Sequence, residues 1–299
     1  MYLDHFDLQS APFALTPDTA FTFASRAQQE ALSTLLLALD DGAGFVKITG
    51  EVGTGKTLAC RRLLAALAQR ADCDTVYVPN PCLSPRTLMF SIASELGLAV
   101  PPHADQHALL TLLNQALLER AAQGRKVFVL LDEAQAMPID SLESLRLLSN
   151  LETEKRKLMQ TVLFAQPELD AKLALPDLRQ LTTRIVFQYR LDALTRDETE
   201  RYLAHRLRVA GHRGEPLFAP PVAAAVHRAA RGLPRLINLI AHKSLLLAYG
   251  EGALRVSKRH VRAAQADTPA AARSGLFGRL SQWMWTWRSA RTRRAGLTA

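Results

Sequence analysis

Cysteine is scarce: three residues, Cys60, Cys73 and Cys82, serve a chain of 299. An odd count cannot close a full set of intrachain disulfides, and none of the spacings suits a metal site. Cys60 falls on a helix-forming run and reads as a small core residue. Long apolar runs are missing as well, and none approaches the roughly 20 residues that span a bilayer. The opening Met1-Tyr2-Leu3-Asp4-His5-Phe6-Asp7 lacks the basic and apolar regions of a secretory signal. These absences exclude a disulfide scaffold, a zinc module and a spanning protein, and they point to the cytoplasm. Acid is absent from the end of the chain: from Thr268 onward there are six arginines (Arg273, Arg279, Arg288, Arg291, Arg293 and Arg294) and no carboxylate side chain. That stretch accounts for +6 of the net charge of +9, which leaves +3 for residues 1–267.

What the chain does contain is a phosphate-binding loop. Gly50-Glu51-Val52-Gly53-Thr54-Gly55-Lys56-Thr57 follows the apolar Phe45-Val46-Lys47-Ile48 and precedes a helix-forming run from Leu58 to Ala68. Glycines permit a tight strand-to-helix turn whose amides converge on phosphate oxygens, and the helix N-terminus adds partial positive charge. Lys56 is placed to reach the β/γ-phosphates, and the Thr57 hydroxyl to bind Mg²⁺. The expected cofactors are ATP and Mg²⁺.

A second motif completes the chemistry. Lys126-Val127-Phe128-Val129-Leu130-Leu131 reads as a strand buried on both faces of a parallel sheet, ending in Asp132-Glu133-Ala134-Gln135. Carboxylates at such a strand tip lie where open α/β sheets bind ligands. Asp132 suits the metal shell, and Glu133 suits polarisation of an attacking water. The pairing argues for hydrolysis of the nucleotide rather than storage.

Strand and helix patterns alternate through the first two thirds, as in a parallel sheet with helical crossovers. Strands are expected at 45–49, 74–78, 126–131, 158–165 and 185–191. Helices are expected at 28–39, 56–70, 86–97, 106–122 and 140–151. Beyond Leu191 the pattern is helical only, at 196–210, 220–231, 234–249 and 257–266. The domain reading is a leading segment with first helix at 1–40, a nucleotide-binding domain at 41–191, a helical domain at 192–267, and a basic tail at 268–299. Pro269 to Ala272 reads as a linker.

Three further residues are nucleotide-site candidates. Gln166 ends a strand and fits either a γ-phosphate or water sensor, or a helix cap before Pro167. Arg184, with Arg179 as a weaker candidate, precedes the last strand and fits either an arginine finger toward a neighbouring subunit or a surface charge. Arg235 follows Gly232-Leu233-Pro234 in the first turn of a helix, where a cation opposes the dipole unless an anion sits nearby; a nucleotide phosphate is the anion expected.

Together these motifs resemble the AAA+ ATPases over about residues 1–266. The group most similar is the general secretion pathway protein A-like ATPases, with the ATPase of mannose-sensitive haemagglutinin (MSHA) pilus biogenesis. Met1-Tyr2-Leu3-Asp4-His5-Phe6, Ala11-Pro12-Phe13, Thr16-Pro17-Asp18, the extended loop from Lys47 to Thr57, Leu131-Asp132-Glu133-Ala134-Gln135 and Gln166-Pro167-Glu168-Leu169 carry the likeness. The resemblance implies an α/β fold: a P-loop AAA+ three-layer sandwich with a parallel five-stranded sheet and a C-terminal all-α lid. It also implies a homo-oligomeric ATPase serving a type IV pilus or type II secretion apparatus, with inner-membrane components as partners. Longer relatives carry a transmembrane helix and a periplasmic wall-binding domain, which this sequence does not show.

In the tail, Leu276, Phe277, Leu280, Trp283, Met284 and Trp287 fall at helical spacings of three and four, with Trp285 off the stripe. With arginines on other faces, this segment suits either an anionic membrane surface or a packing contact with a partner or with its own core. The expected location is the cytoplasm, peripheral at the inner membrane. The competing reading is a DNA-binding AAA+ helper of transposition or replication, disfavoured by the +3 on residues 1–267.

Overall fold

The computed structural model describes residues 2–14, 21–101, 103–149, 152–153 and 156–272. The tail candidates Leu276, Phe277, Leu280, Trp283 and Trp287 lie outside the described residues, as does the Thr16-Pro17-Asp18 motif. In chain order the elements begin with α1 (Tyr2–His5), α2 (Arg26–Asp40), β1 (Phe45–Gly50), α3 (Lys56–Leu67), β2 (Cys73–Val78), α4 (Pro85–Glu95) and α5 (Gln106–Ala122). Next come β3 (Lys126–Leu131), α6 (Ile139–Leu148), the two-residue strands β4 (Glu152–Thr153) and β5 (Arg156–Lys157), β6 (Met159–Ala165), α7 (Glu168–Leu173), α8 (Arg179–Thr182) and β7 (Ile185–Leu191). The remainder is helical: α9 (Arg196–Val209), α10 (Pro220–Ala230), α11 (Pro234–Gly250), α12 (Lys258–Ala266) and α13 (Pro269–Ala272).

Contacts divide the chain into two units, one of residues 24–193 and one joining residues 1–23 to those from Leu194 onward. Residues 1–40 are expected from the sequence as a single leading segment; the division falls between Phe23 and Ala24, so α2 belongs with the sheet.

In the first unit, five strands form one parallel sheet in the order β2-β3-β6-β1-β7. Every residue of β1 and of β6 is buried, as a strand covered on both faces requires. Alternate side chains divide the core into two layers. Val127, Val129 and Leu131 of β3, with Met159 and Leu163 of β6, pack with Leu88, Leu113 and Leu145 of α4, α5 and α6. Phe128 and Leu130, with Val46 and Ile48, face Leu35 and Leu39 of α2 and Leu63 of α3 on the other side. Helix, sheet and helix make the expected three-layer sandwich. β7 is an edge strand, half-exposed in alternation, and Val186 on it is 66% exposed.

The second unit is built on α9 to α12. Thr195 opens α9 with a reciprocal capping box to Glu198, and Pro234 sits in the first turn of α11, where its missing N–H costs nothing. The aromatic residues near the start of the chain complete this core: Phe6, Phe13 and Phe21 are buried with Tyr202, Leu207, Phe218 and Ile240. Arg206, only 7% exposed, donates from Nε to the Pro12 carbonyl at 2.5 Å and lies over the Phe21 ring at 4.7 Å. Pro269 to Ala272, expected as a linker, is instead the short helix α13, with Ala271 fully buried. Packing of small alanines overrode the composition signal.

Charge separates along the same lines. Residues 24–193 carry eighteen Lys and Arg against nineteen Asp and Glu, a net of −1, whereas residues 194–272 carry thirteen against six, a net of +7. The three aspartates of residues 1–23 bring the second unit to +4 over residues 1–23 and 194–272. The +3 assigned to residues 1–267 therefore conceals a basic helical region.

Candidate nucleotide site

All strands of the sheet run in one direction, so their carboxyl ends form a single edge, and the predicted chemistry gathers there. β1 delivers the loop Gly50 to Thr57 directly into α3. Gly53 and Gly55 adopt φ of 85° and 99°, the left-handed conformations that side chains resist. Gly50 is needed for space: a Cβ there would lie 2.7 Å from Thr54 Oγ1 and 2.9 Å from the Leu191 carbonyl. Thr54 Oγ1 donates to the Glu51 carbonyl at 2.9 Å and closes the turn. Val52 is 53% exposed at the tip.

Lys56 is buried and folds back over the loop, donating from Nζ to the carbonyls of Gly50 at 2.8 Å and Glu51 at 3.0 Å. Burial lowers its pKa, and the carboxylates of Glu133, Asp132, Glu51 and Glu168 oppose that shift. Phosphate oxygens are the stronger acceptors for this ammonium and would replace the carbonyls.

At the tip of β3, Asp132 is only 3% exposed. Burial raises its carboxyl above the ordinary value, while hydrogen bonds from the Thr57 hydroxyl and the Glu133 amide work the other way. Thr57 and Asp132 are thus joined, and two oxygen donors in contact suit a hard cation such as Mg²⁺.

Glu133 sits at φ 55°, ψ 37°, a left-handed backbone unusual for a residue with a side chain. That twist turns its carboxylate away from that of Asp132 and onto two glutamines. Gln135 donates from Nε2 to Glu133 Oε2 at 2.5 Å, and Gln166 donates from Nε2 to the same oxygen at 3.0 Å. The Gln166 amide in turn donates to Gln135 Oε1 at 2.9 Å. Burial pushes the Glu133 carboxyl up, but these two donated bonds and the charge of Lys56 outweigh it and hold the group below its ordinary value. Glu133 is therefore ionised at neutral pH, as a water-polarising base requires.

Sequence reasoning missed Gln135 as a working residue, although the residue stood in the motif. It also missed Lys172 of α7, whose Nζ bonds the carbonyls of Gln135 at 2.6 Å and Met137 at 2.8 Å and so pins the turn after β3.

Arg184 lies at the opposite end of the sheet. It precedes Ile185, which pairs with Phe45 at the start of β1, so a strand length of about 17 Å separates it from Gly50. Its Nη1 donates to Ser149 Oγ at 2.6 Å and the Arg146 carbonyl at 3.3 Å, at the end of α6. Arg235 belongs to the helical unit, exposed in the first turn of α11.

An AAA domain matches residues 39–173. General secretion pathway protein A of Aeromonas hydrophila is 41% identical over 256 residues, covering 86% of this chain and 46% of that protein. This chain is an AAA+ ATPase related to general secretion pathway protein A. The ATPase spans under half the length of that relative. Its fold is shared with Cdc6p from Pyrobaculum aerophilum, at a TM-score of 0.65 and 21% identity over 83% of this chain and 70% of that one. A Drosophila ORC chain, solved bound to DNA, matches at a TM-score of 0.63 and 19% identity over 86% and 64%. Identities this low carry the fold alone.

Proposed function

We propose that this ATPase cleaves ATP to ADP and phosphate with Mg²⁺, and that turnover drives assembly or remodelling of a type II secretion or type IV (MSHA-like) pilus apparatus. One observation carries the hydrolytic half. Lys56, the joined Thr57 and Asp132, and the Glu133–Gln135–Gln166 group all lie on one sheet edge. The P-loop amides from Gly50 to Thr57 and the Lys56 ammonium hold the phosphates. Thr57 and Asp132 would hold Mg²⁺, which would supply charge neutralisation on the phosphate oxygens. Glu133 takes a proton from the attacking water while Gln166 fixes the carboxylate's orientation. Arg184 acts on the site of a neighbouring copy, because its own site is a strand length away. Arg235 reads the phosphate from the helical unit.

The apparatus is inferred from the relative's name and from the opening and loop motifs shared with that group. Among the described residues no helix is long and apolar enough to cross a membrane. The stripe of Leu276, Phe277, Leu280, Trp283 and Trp287 supports peripheral attachment to the inner membrane, with secretion or pilus components as partners. A Glu133→Gln variant, which retains ATP, should hold its client long enough for recovery from cells making such an apparatus. Recovery of DNA-metabolism proteins with no apparatus component would overturn the assignment.

A second reading, an ATPase helper acting on DNA, is favoured by the net +7 on residues 194–272. It requires duplex binding by the full chain that weakens steeply between 50 and about 200 mM salt.

A further inference from the structure

One buried polar group in the nucleotide-binding unit has no part in the chemistry above. Gln28 lies in the first turn of α2, its amide donating to Ser25 Oγ at 3.2 Å, and it is only 7% exposed. Its Oε1 is buried and accepts no hydrogen bond. Buried acceptors are seldom left in this condition. The side chain is directed at the phosphate loop: Nε2 lies 2.6 Å from the position a Cβ on Gly55 would take. Gly55 is the left-handed residue that starts α3, immediately before Lys56.

The sheet order fixes which end of a bound nucleotide this group meets. Glu133 and Gln166, assigned above to the terminal phosphate, follow the ends of β3 and β6, on one side of β1. α2 packs against α3, β1 and β7, and β7 is on the other side of β1. A nucleotide with its terminal phosphate toward β3 and β6 extends its sugar and base toward the β7 side, where Gln28 waits.

We propose that Gln28 reads the nucleobase and selects adenine over guanine. This rests on the ATP-binding reading and deepens it. A carboxamide presents one donor and one acceptor side by side, and adenine presents its 6-amino donor beside a ring-nitrogen acceptor. The unpartnered Oε1 accepts from the 6-amino group, and Nε2 donates to N7. Guanine and hypoxanthine present two acceptors along that edge, O6 and N7, and a carboxamide, with one donor end and one acceptor end, cannot satisfy both in either orientation.

The test is equilibrium binding of non-hydrolysable ATP, GTP and ITP analogues and of inorganic tripolyphosphate to the full chain. Wild-type protein should bind the ATP analogue about tenfold more tightly than those of ITP and GTP, one good hydrogen bond's worth. Gln28→Leu should bring the three within about twofold by weakening ATP alone, leaving tripolyphosphate unchanged. An ITP analogue bound as tightly as ATP by wild-type protein overturns the proposal without any variant. So does a Gln28→Leu protein that keeps its preference, or one that loses all four ligands equally, which would make Gln28 a support for the loop. Failure of wild-type protein to bind any of the four would instead remove the ATP-binding reading beneath it.

Discussion

The nucleotide-binding unit and the helical unit carry their information differently. In residues 24–193 the candidate groups come in short contiguous runs, Gly50 to Thr57 and Asp132 to Gln135, each at a strand tip, where several atoms can be presented to one phosphate chain. In the helical unit no comparable run exists. Its core joins residues from the two ends of the described chain, Phe6 and Phe13 with Phe218 and Ile240, and its one nucleotide candidate, Arg235, is a single exposed side chain. The charge contrast, −1 for residues 24–193 against +4 for residues 1–23 and 194–272 together, follows the same division. A site for a small, highly charged ligand needs few residues set closely. A helical core assembled from segments distant in sequence leaves no such contiguous trace.

The sharpest way to break this contrast is at the loop. Lys56→Ala should reduce ATP affinity at least about 100-fold, since it removes a charge-assisted contact at a buried position, while circular dichroism and the melting of the helical unit stay unchanged. Unaltered affinity, measured by titration calorimetry, would detach the loop from the site. Glu133→Gln should bind ATP as wild type does and turn over on the order of 100-fold more slowly. Near-normal turnover would reassign the base.

Arg184 and Arg235 test whether the first unit is sufficient. Arg184→Ala should lower turnover about tenfold or more with affinity retained. Mixing it with Lys56→Ala should restore part of the activity, because each chain supplies what the other lacks across an interface. Absence of rescue in confirmed oligomers would leave Arg184 as a strut on α6. Arg235→Ala should raise the Kd for ATP about threefold to tenfold; no change would confine nucleotide chemistry to residues 24–193.

The smallest effect concerns pH. His227 and His242 both belong to the helical unit, and burial lowers each below the ordinary 6.5, with Arg196 and Arg228 adding to the shift at His227. The unfolded chain thus binds protons that the folded unit refuses. Stability should be full above about pH 6.5 and fall as pH drops from there toward the depressed folded values. Thermal melts of a His227→Gln, His242→Gln double variant should show less acid sensitivity than wild type; an identical pH dependence would remove both histidines from the account.

Much of the first unit was legible in the sequence. All five sheet strands were expected within a residue of where they lie, because apolar runs of six or seven residues in a doubly covered sheet tolerate few interruptions. Helices of four to six residues, α1, α7, α8 and α13, were not read, since so short a stretch holds barely one turn of periodicity. Gln28, Gln135 and Lys172 were also out of reach as functional groups. Each acts through a partner distant in space or through a buried contact, and neither composition nor spacing encodes such a contact. The sequence placed Arg184 beside its strand, but only the parallel sheet reveals that it stands at the end away from its own loop.

The position of β1 in the sheet has a consequence for biosynthesis. Its neighbours are β6 on one side and β7 on the other, so the strand that carries the phosphate loop is paired by segments beginning at Met159 and Ile185. During translation it leaves the ribosome with both edges bare, and more than a hundred residues must follow before either edge is closed. Such long-range pairings are slow to form, and open apolar strands invite association with other chains. A nascent chain stalled before Met159 would hold β1 with both edges unpaired. Chaperone dependence during synthesis, rather than marginal stability once folded, is the vulnerability this sheet order builds in.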